Sequence, residues 1–372
     1  MPCILSQPAK LSSASEILPT KFPFIVTVTE SKTARLTEAE QSARQWVDRL
    51  EPFRVPNDKR SILEFATTLG LYIPVWILAV IVVKSYSGWL AIPLIILGGA
   101  LMVRLFILQH DCGHNALFSD RKVNTWVGRF LGVITLTPYD YWRRMHATHH
   151  AGSGNLKRRG TGDIDTLTVD EYVKSPFLNR VIYRLYRNPY LMFTLGPAYL
   201  FLLRHRLPVG CMNQGRKPWI SVATTNVFIA LMFAGLISIT GLKVFLMVHI
   251  PMVVVGGAIG VWMFYVQHQF DDTHWDNSED WQHSYSALHG SSYYDLPKPF
   301  MWLTGNIGIH HVHHLSSRIA FHQLPAVLEK HPELKKIGRL TFRESLKCVH
   351  LALWDAQQRR MVPFSALRSQ PA

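Results

Sequence analysis

Cysteine is scarce in this 372-residue chain: Cys3, Cys112, Cys211 and Cys348, with no CxxC among them. That excludes a disulfide framework or a thiolate zinc site as the basis of the fold. The N-terminus lacks the basic-then-apolar order of a secretory signal, and residues 1–15 contain no acid. The second trait hints faintly at a transit peptide, but a plain disordered terminus explains it better. Charge is also missing from several long stretches, even though the mean hydropathy of +0.09 is unremarkable. The apolar residues are therefore concentrated, as in a membrane protein. A net charge of +14 would suit nucleic acid. In a membrane protein, basic loops facing the cytosol and anionic lipid account for it, and no nucleic-acid partner is expected.

The charge-poor runs come in two pairs. Phe65–Val83 and Trp89–Gln109 (interrupted only by Arg104) are joined by a short Lys84–Gly88 link. Trp219–Thr240 and Val244–Val266 are joined by Gly241-Leu242-Lys243. Each run is long enough to cross roughly 30 Å of hydrocarbon. Pro251 and the glycines at 256, 257 and 260 are tolerable inside such a helix. The segment between the pairs, 110–218, is rich in Arg and Lys, whereas each short link carries one. The positive-inside rule then puts that segment and both termini in the cytosol. Trp126–Thr137 and Pro189–Leu203 are apolar but short, and read as interfacial or re-entrant pieces. Thr37 and Glu40 form a capping box, predicting an amphipathic helix to about Leu50 on the membrane surface. Thr341 and Glu344 predict another, running to about Arg360. The expected organisation is a cytosolic N-terminal segment (1–62), a membrane core (63–325) and a cytosolic C-terminal helix and tail (326–372). The expected fold is an all-α integral membrane protein. Four transmembrane helices form two hairpins beneath a cytosolic helical cap.

What the chain does have is histidine, 18 of them. His110 and His114 stand at i, i+4 where the second run ends. His146-Ala147-Thr148-His149-His150 is an HxxHH, and His310-His311-Val312-His313-His314 contains a second one. His268 ends the fourth run. On a helix His310, His313 and His314 share a side that His311 does not, so His311 is read as a neighbour. The expected topology brings His110, His114, His146, His149, His150, His268, His310, His313 and His314 to one face of the membrane. Nine imidazoles exceed the needs of one ion and suit two metals with open positions. Two histidine-bound irons fit oxygen chemistry. Asp111, Asp163, Asp165, Asp271 and Asp272 are candidates to orient imidazole N–H groups, each competing with a role as a solvated loop acid. His205, His249, His274, His283, His289, His322, His331 and His350 read as structural or surface residues.

These three boxes, in the order HxxxH, HxxHH, HxxHH, resemble those of the membrane fatty acid desaturase family. The resemblance extends to Pro138–His146, Gly162–Val169, Val266–Thr273, Gly305–Leu315 and Leu353-Trp354-Asp355. These stretches are similar to the acyl-lipid branch of bacterial and plastid omega-6 (delta-12) type enzymes, over roughly residues 50–364. The resemblance implies a four-span, mushroom-like fold with a cytosolic di-iron cap, and ligand roles for the nine histidines. It implies oxygen-dependent removal of two hydrogens from an acyl chain of membrane lipid, with dioxygen as co-substrate. A separate electron donor, a ferredoxin or b-type cytochrome, is implied because no fused heme domain is seen. The asparagine that acyl-CoA relatives carry four residues before the fourth-span histidine is Phe264 here, so that ligand does not carry over.

Trp126, Tyr141 and Trp142 are candidates to line an acyl tunnel. The boxes do not separate desaturation from hydroxylation, epoxidation, conjugation or carotenoid oxygenation on the same fold. A metal transporter would hold its ligands near the bilayer midplane, whereas these lie at span ends.

Overall fold

The computed structural model describes residues 41–368, except 161 and 278. The Thr37–Glu40 capping box and residues 1–15 fall outside that range. Residues 41–49 form α1. Asn57 then caps α2 (Asp58–Ser85) by accepting the Arg60 N–H at 3.0 Å. The order continues with α3 (Ile92–Gly113), α4 (Arg121–Ile134), α5 (Tyr139–Gly152), α6 (Phe177–Tyr186), α7 (Arg216–Thr240), α8 (Leu242–His268), α9 (His283–His289), α10 (His310–Leu315) and α11 (Phe342–Cys348). Among the described residues, four helical stretches are long and apolar enough to cross a membrane: α2, Gly88–Gly113, α7 and α8. Each outruns its charge-poor core, because polar residues at the ends remain helical. α2, for example, begins at Asp58 and so carries helix across residues 62 and 63.

α3 and α8 form the centre of the bundle. Their backbones approach closely at Gly99 and Gly256, where a Cβ on Gly256 would sit 2.9 Å from the Gly99 carbonyl. Small residues permit this approach, which dispersion then stabilises in lipid. α2 and α7 present Ile73, Ile77, Ile81, Phe228 and Leu231 outward, as lipid-facing helices do. Arg104, the charge that interrupts the second run, points inward. It pairs with Glu64, donates to Thr68 Oγ1 at 3.1 Å and to the Trp302 carbonyl, and lies 4.1 Å over the Trp302 ring.

Neither short apolar piece spans. α4 is amphipathic, with Trp126 and Phe130 exposed. Residues 191–203 form two π-helical turns, Leu191–Leu195 and Tyr199–Leu203, packed on α8 through Pro197 and Phe201 against Gly257.

Two expectations are corrected. The apolar face of α1 does not lie on lipid, because Ala43, Trp46 and Leu50 are buried in the cap with Leu288, Val312, Leu315 and Val327. The C-terminal helix does form behind its Thr341–Glu344 capping box but stops at Cys348. Leu351–Asp355 is instead strand β4, buried at every residue. It lies between β1 (Leu167–Thr168), which it pairs in parallel, and β5 (Arg360–Pro363), which is antiparallel. A continuous apolar run covered on both faces suits a central strand, and the capping box marks only where a helix starts. A second small sheet pairs β2 (Tyr293–Asp295) with β3 (Arg339–Thr341). The cap is therefore mainly helical with two small sheets.

Candidate metal centre

Four elements deliver the nine histidines to one end of the bundle. α3 carries His110, with His114 at its C-cap. α5 carries His146, His149 and His150, α8 ends on His268, and α10 carries His310, His313 and His314. The six-residue α10 is held from outside. The Ser292 carbonyl accepts both the His310 and His311 N–H groups at 3.2 Å, and Gln267 Nε2 donates to the Ile307 carbonyl at 2.9 Å. Gly308 presses against β2: a Cβ there would lie 2.5 Å from the Tyr294 carbonyl. Gly305 and Asn306 both take φ above +50°, where glycine and asparagine are most at ease.

The side chains gather in two groups. His110, His114, His146, His150 and His313 form one, and His149, His268, His310 and His314 the other. Within each group the ligand atoms lie within 4.8 Å of one another. Each HxxHH is split between the groups. At 3.6 residues per turn, i and i+4 point nearly together, while i+3 and i+4 diverge by about 100°. His310 and His314 therefore serve one group and His313 the other, while His146 and His150 are separated from His149 in the same way.

The Nε2 atoms face one another. His114–His146 is 3.0 Å, His146–His150 is 3.1 Å, His150–His313 is 3.2 Å, His268–His310 is 3.1 Å and His149–His314 is 3.2 Å. Three Nδ1 atoms are turned outward onto acceptors: His110 to Asp111 Oδ1 at 2.9 Å, His149 to Asp163, and His268 to the Gly290 carbonyl at 3.2 Å. An imidazole that donates from Nδ1 presents a bare lone pair at Nε2. Converging lone pairs repel unless a cation sits among them. Burial, reinforced by neighbouring imidazoles, holds His114, His146, His150, His310, His313 and His314 well below the ordinary histidine range, and so in the neutral, ligating form. The donor set therefore fits two metal ions, five imidazoles at one and four at the other.

Of the five candidate acids, two reach imidazoles. Asp111 also accepts the Phe321 N–H at 2.6 Å, tying α3 to the cap. Asp165 engages other groups through its backbone, and Asp271 and Asp272 are exposed beside a surface pocket. The Gly290 carbonyl has no counterpart in the sequence pattern, because any residue supplies one. His311 turns away and donates to the Leu334 carbonyl at 3.0 Å. His249 lies within α8 and packs against the Phe233 and Phe245 rings, away from both groups.

Of the three aromatic candidates, Trp142 stacks on His146 at 4.6 Å and packs against Phe106 at 5.2 Å. Tyr141 is turned aside, donating to the Val209 carbonyl at 2.6 Å, and Trp126 is exposed. Phe264 packs against His149 and His268 at 5.1 Å each. It supplies an apolar wall where the acyl-CoA relatives supply a polar group.

Comparison with known proteins agrees with this geometry. The sequence profile described as fatty acid desaturase matches residues 87–344. A Bacillus subtilis protein named fatty acid desaturase is 38% identical over 328 residues, covering 88% of this chain and 92% of its own. An sn-1 oleoyl-lipid 12-desaturase from Synechocystis is 28% identical, covering 64% of this chain and 68% of its own. A ferredoxin-linked sn-1 acyl-lipid omega-3 desaturase from Nostoc is 24% identical, covering 74% and 76%. On the strength of the profile match and the Bacillus relative, this chain belongs to the fatty acid desaturase family of oxidoreductases.

Proposed function

We propose that the chain introduces a second double bond into a monounsaturated acyl chain of a membrane lipid, with omega-6 (delta-12) regiochemistry. Dioxygen is the co-substrate, and a separate ferredoxin or b-type cytochrome is the electron source. The observation that carries this reading is the convergence of nine imidazole nitrogens into groups of five and four. His110, His114, His146, His150 and His313 would hold one iron, and His149, His268, His310 and His314 the other. The multi-pass core lies in a membrane, the cytoplasmic one in a bacterium, with this site on its cytosolic face. The basic 110–218 segment supports that orientation.

Two irons bound here would supply the activation of dioxygen that removal of hydrogen from an unactivated methylene demands. The chain's own residues do the rest. Asp111, Asp163 and the Gly290 carbonyl hold three imidazoles in the Nδ1–H tautomer. Ser292 and Gln267 fix α10 against α8, so that His310 and His268 keep their relative position. Trp142 and Phe264 cover the histidines with apolar surface, which excludes water from the reacting acyl segment. Support for the omega-6 assignment comes from the similar stretches around the boxes and the name of the Synechocystis relative.

The test is expression with a ferredoxin in a bacterial host that makes monounsaturated lipids. Chain analysis should reveal a diunsaturated product, absent with His313→Ala, and the purified protein should contain two irons per chain. An unchanged lipid profile from folded, iron-loaded, reduced protein overturns the activity. A hydroxylated product retains the site but overturns the outcome, and an omega-3 product overturns the regiochemistry.

A further inference from the structure

The second histidine group has a back door. The His268 Nδ1–H is held by the Gly290 carbonyl at 3.2 Å, and the Thr273 hydroxyl donates to the His268 carbonyl at 3.1 Å. Behind these contacts a pocket of about 700 Å³ opens on the surface of the cap, with Thr273, His274, Tyr285 and His289 among its walls. Its aromatic rings touch in series, the first pair edge to face and the second tilted. His274 meets Tyr285 at 4.7 Å, Tyr285 meets His289 at 4.4 Å, and His289 is peptide-bonded to Gly290. A continuous run of rings and bonds thus leads from the open surface to a histidine of the metal centre.

The pocket rim is charged. Arg359 and Arg360 form one edge, and Arg359 is braced at 2.8 Å by Asp276. Asp276 is in turn bonded to the segment that carries the exposed Lys157 and Arg158. Asp271 and Asp272 occupy another edge. A mixed rim of this kind fixes the orientation of a docked partner more than its affinity. The net charge of +14 attracts an acidic protein over a longer range.

We propose that this pocket is the docking site of a small acidic one-electron carrier protein. Electrons enter the four-histidine group through the His274, Tyr285 and His289 rings, Gly290 and His268. The proposal rests on the desaturase reading above and names the partner surface of that site. The reaction balances with such a carrier. The acyl chain gives up two hydrogen atoms, two carrier molecules give one electron each, and solvent gives two protons. Dioxygen takes all of these and leaves as two waters. The histidines read from the sequence as structural or surface residues, His274 and His289, thereby gain a role.

The experiment uses the full-length, iron-loaded protein in lipid nanodiscs, with a plant-type ferredoxin as the probe and, as a small reductant, dithionite with methyl viologen, applied without oxygen and removed before oxygen is admitted for a single turnover. Three variants are compared: Arg360→Glu with Lys157→Glu, Tyr285→Leu, and the exposed control Lys298→Glu. The double reversal should raise both the ferredoxin Kd and its KM by about tenfold. Its turnover with the small reductant and its KM for lipid should stay unchanged. Tyr285→Leu should keep the Kd but slow ferredoxin oxidation. Lys298→Glu should alter nothing. Wild-type Kd and KM in the double reversal, equal losses in Lys298→Glu, or no ferredoxin binding by the wild type would each overturn the docking site. Absence of unsaturated product from the wild type with the small reductant would instead overturn the activity, since ferredoxin binding is read separately.

Discussion

His149 is held at both ends: its Nδ1 is bonded to Asp163, and its Nε2 lies 3.2 Å from that of His314. The two residues belong to different HxxHH boxes, 165 positions apart. Removing the carboxylate frees the ring to rotate and lets the proton move to Nε2. Asp163→Ala should weaken binding of one of the two proposed irons by about 10–100-fold. Iron titration of the purified protein measures this. Asp170→Ala, which removes an exposed acid paired only with Lys174, should leave both irons in place.

Gly308 leaves no room for a side chain, with the Tyr294 carbonyl 2.5 Å from where a Cβ would sit. Gly308→Ala should push α10 away from β2 and misplace His310, His313 and His314 together. The expected result is a folded membrane protein with less than two irons and little activity. Full iron content with wild-type turnover would show that the helix does not depend on this contact.

His311 and His313 are two residues apart, yet their substitutions should act differently. His313→Ala removes a member of the five-histidine group and should abolish turnover. His311→Ala should retain two irons and most activity. It removes a buried bond to the Leu334 carbonyl, and should lower stability by about 1–3 kcal/mol. Iron content and thermal unfolding in detergent separate the two.

Arg104 and Glu64 form a buried ion pair between α3 and α2. Arg104→Met leaves the buried carboxylate with only the half-exposed Arg60, 2.6 Å away, and should cost about 1–3 kcal/mol of stability, whereas replacing both residues by Met should cost less. Thermal unfolding of the two variants in detergent checks the difference. An additive double variant would mean that the pair is not coupled.

Much of the architecture could be read from the residues alone. Charge-free runs long enough to cross hydrocarbon need no partner to declare themselves, since the bilayer imposes their length. The histidine spacing likewise announced metal chemistry, because HxxHH on a helix places nitrogens on adjoining sides whatever surrounds it. Helix ends were less legible. Asp58–Glu64 continue α2 behind the Asn57 cap, and Glu64 is paired there by Arg60 of its own helix and by Arg104, forty positions away.

Tertiary structure decided which histidines meet. Read from the sequence, His310, His313 and His314 group as one arm; helix geometry turns His313 away from the other two, and the placement of α10 against α3, α5 and α8 gives His313 the company of His110, His114, His146 and His150 and gives His310 and His314 that of His149 and His268. It also decided which acids matter, since Asp163 reaches an imidazole while Asp271 and Asp272 remain at the surface. The same long-range packing turned Leu351–Asp355 into a strand, where both faces found cover between β1 and β5. Periodicity and spacing are local properties of the chain, so the sequence carries them. Partners in space are chosen by the packing of distant segments, and only the folded molecule reveals them.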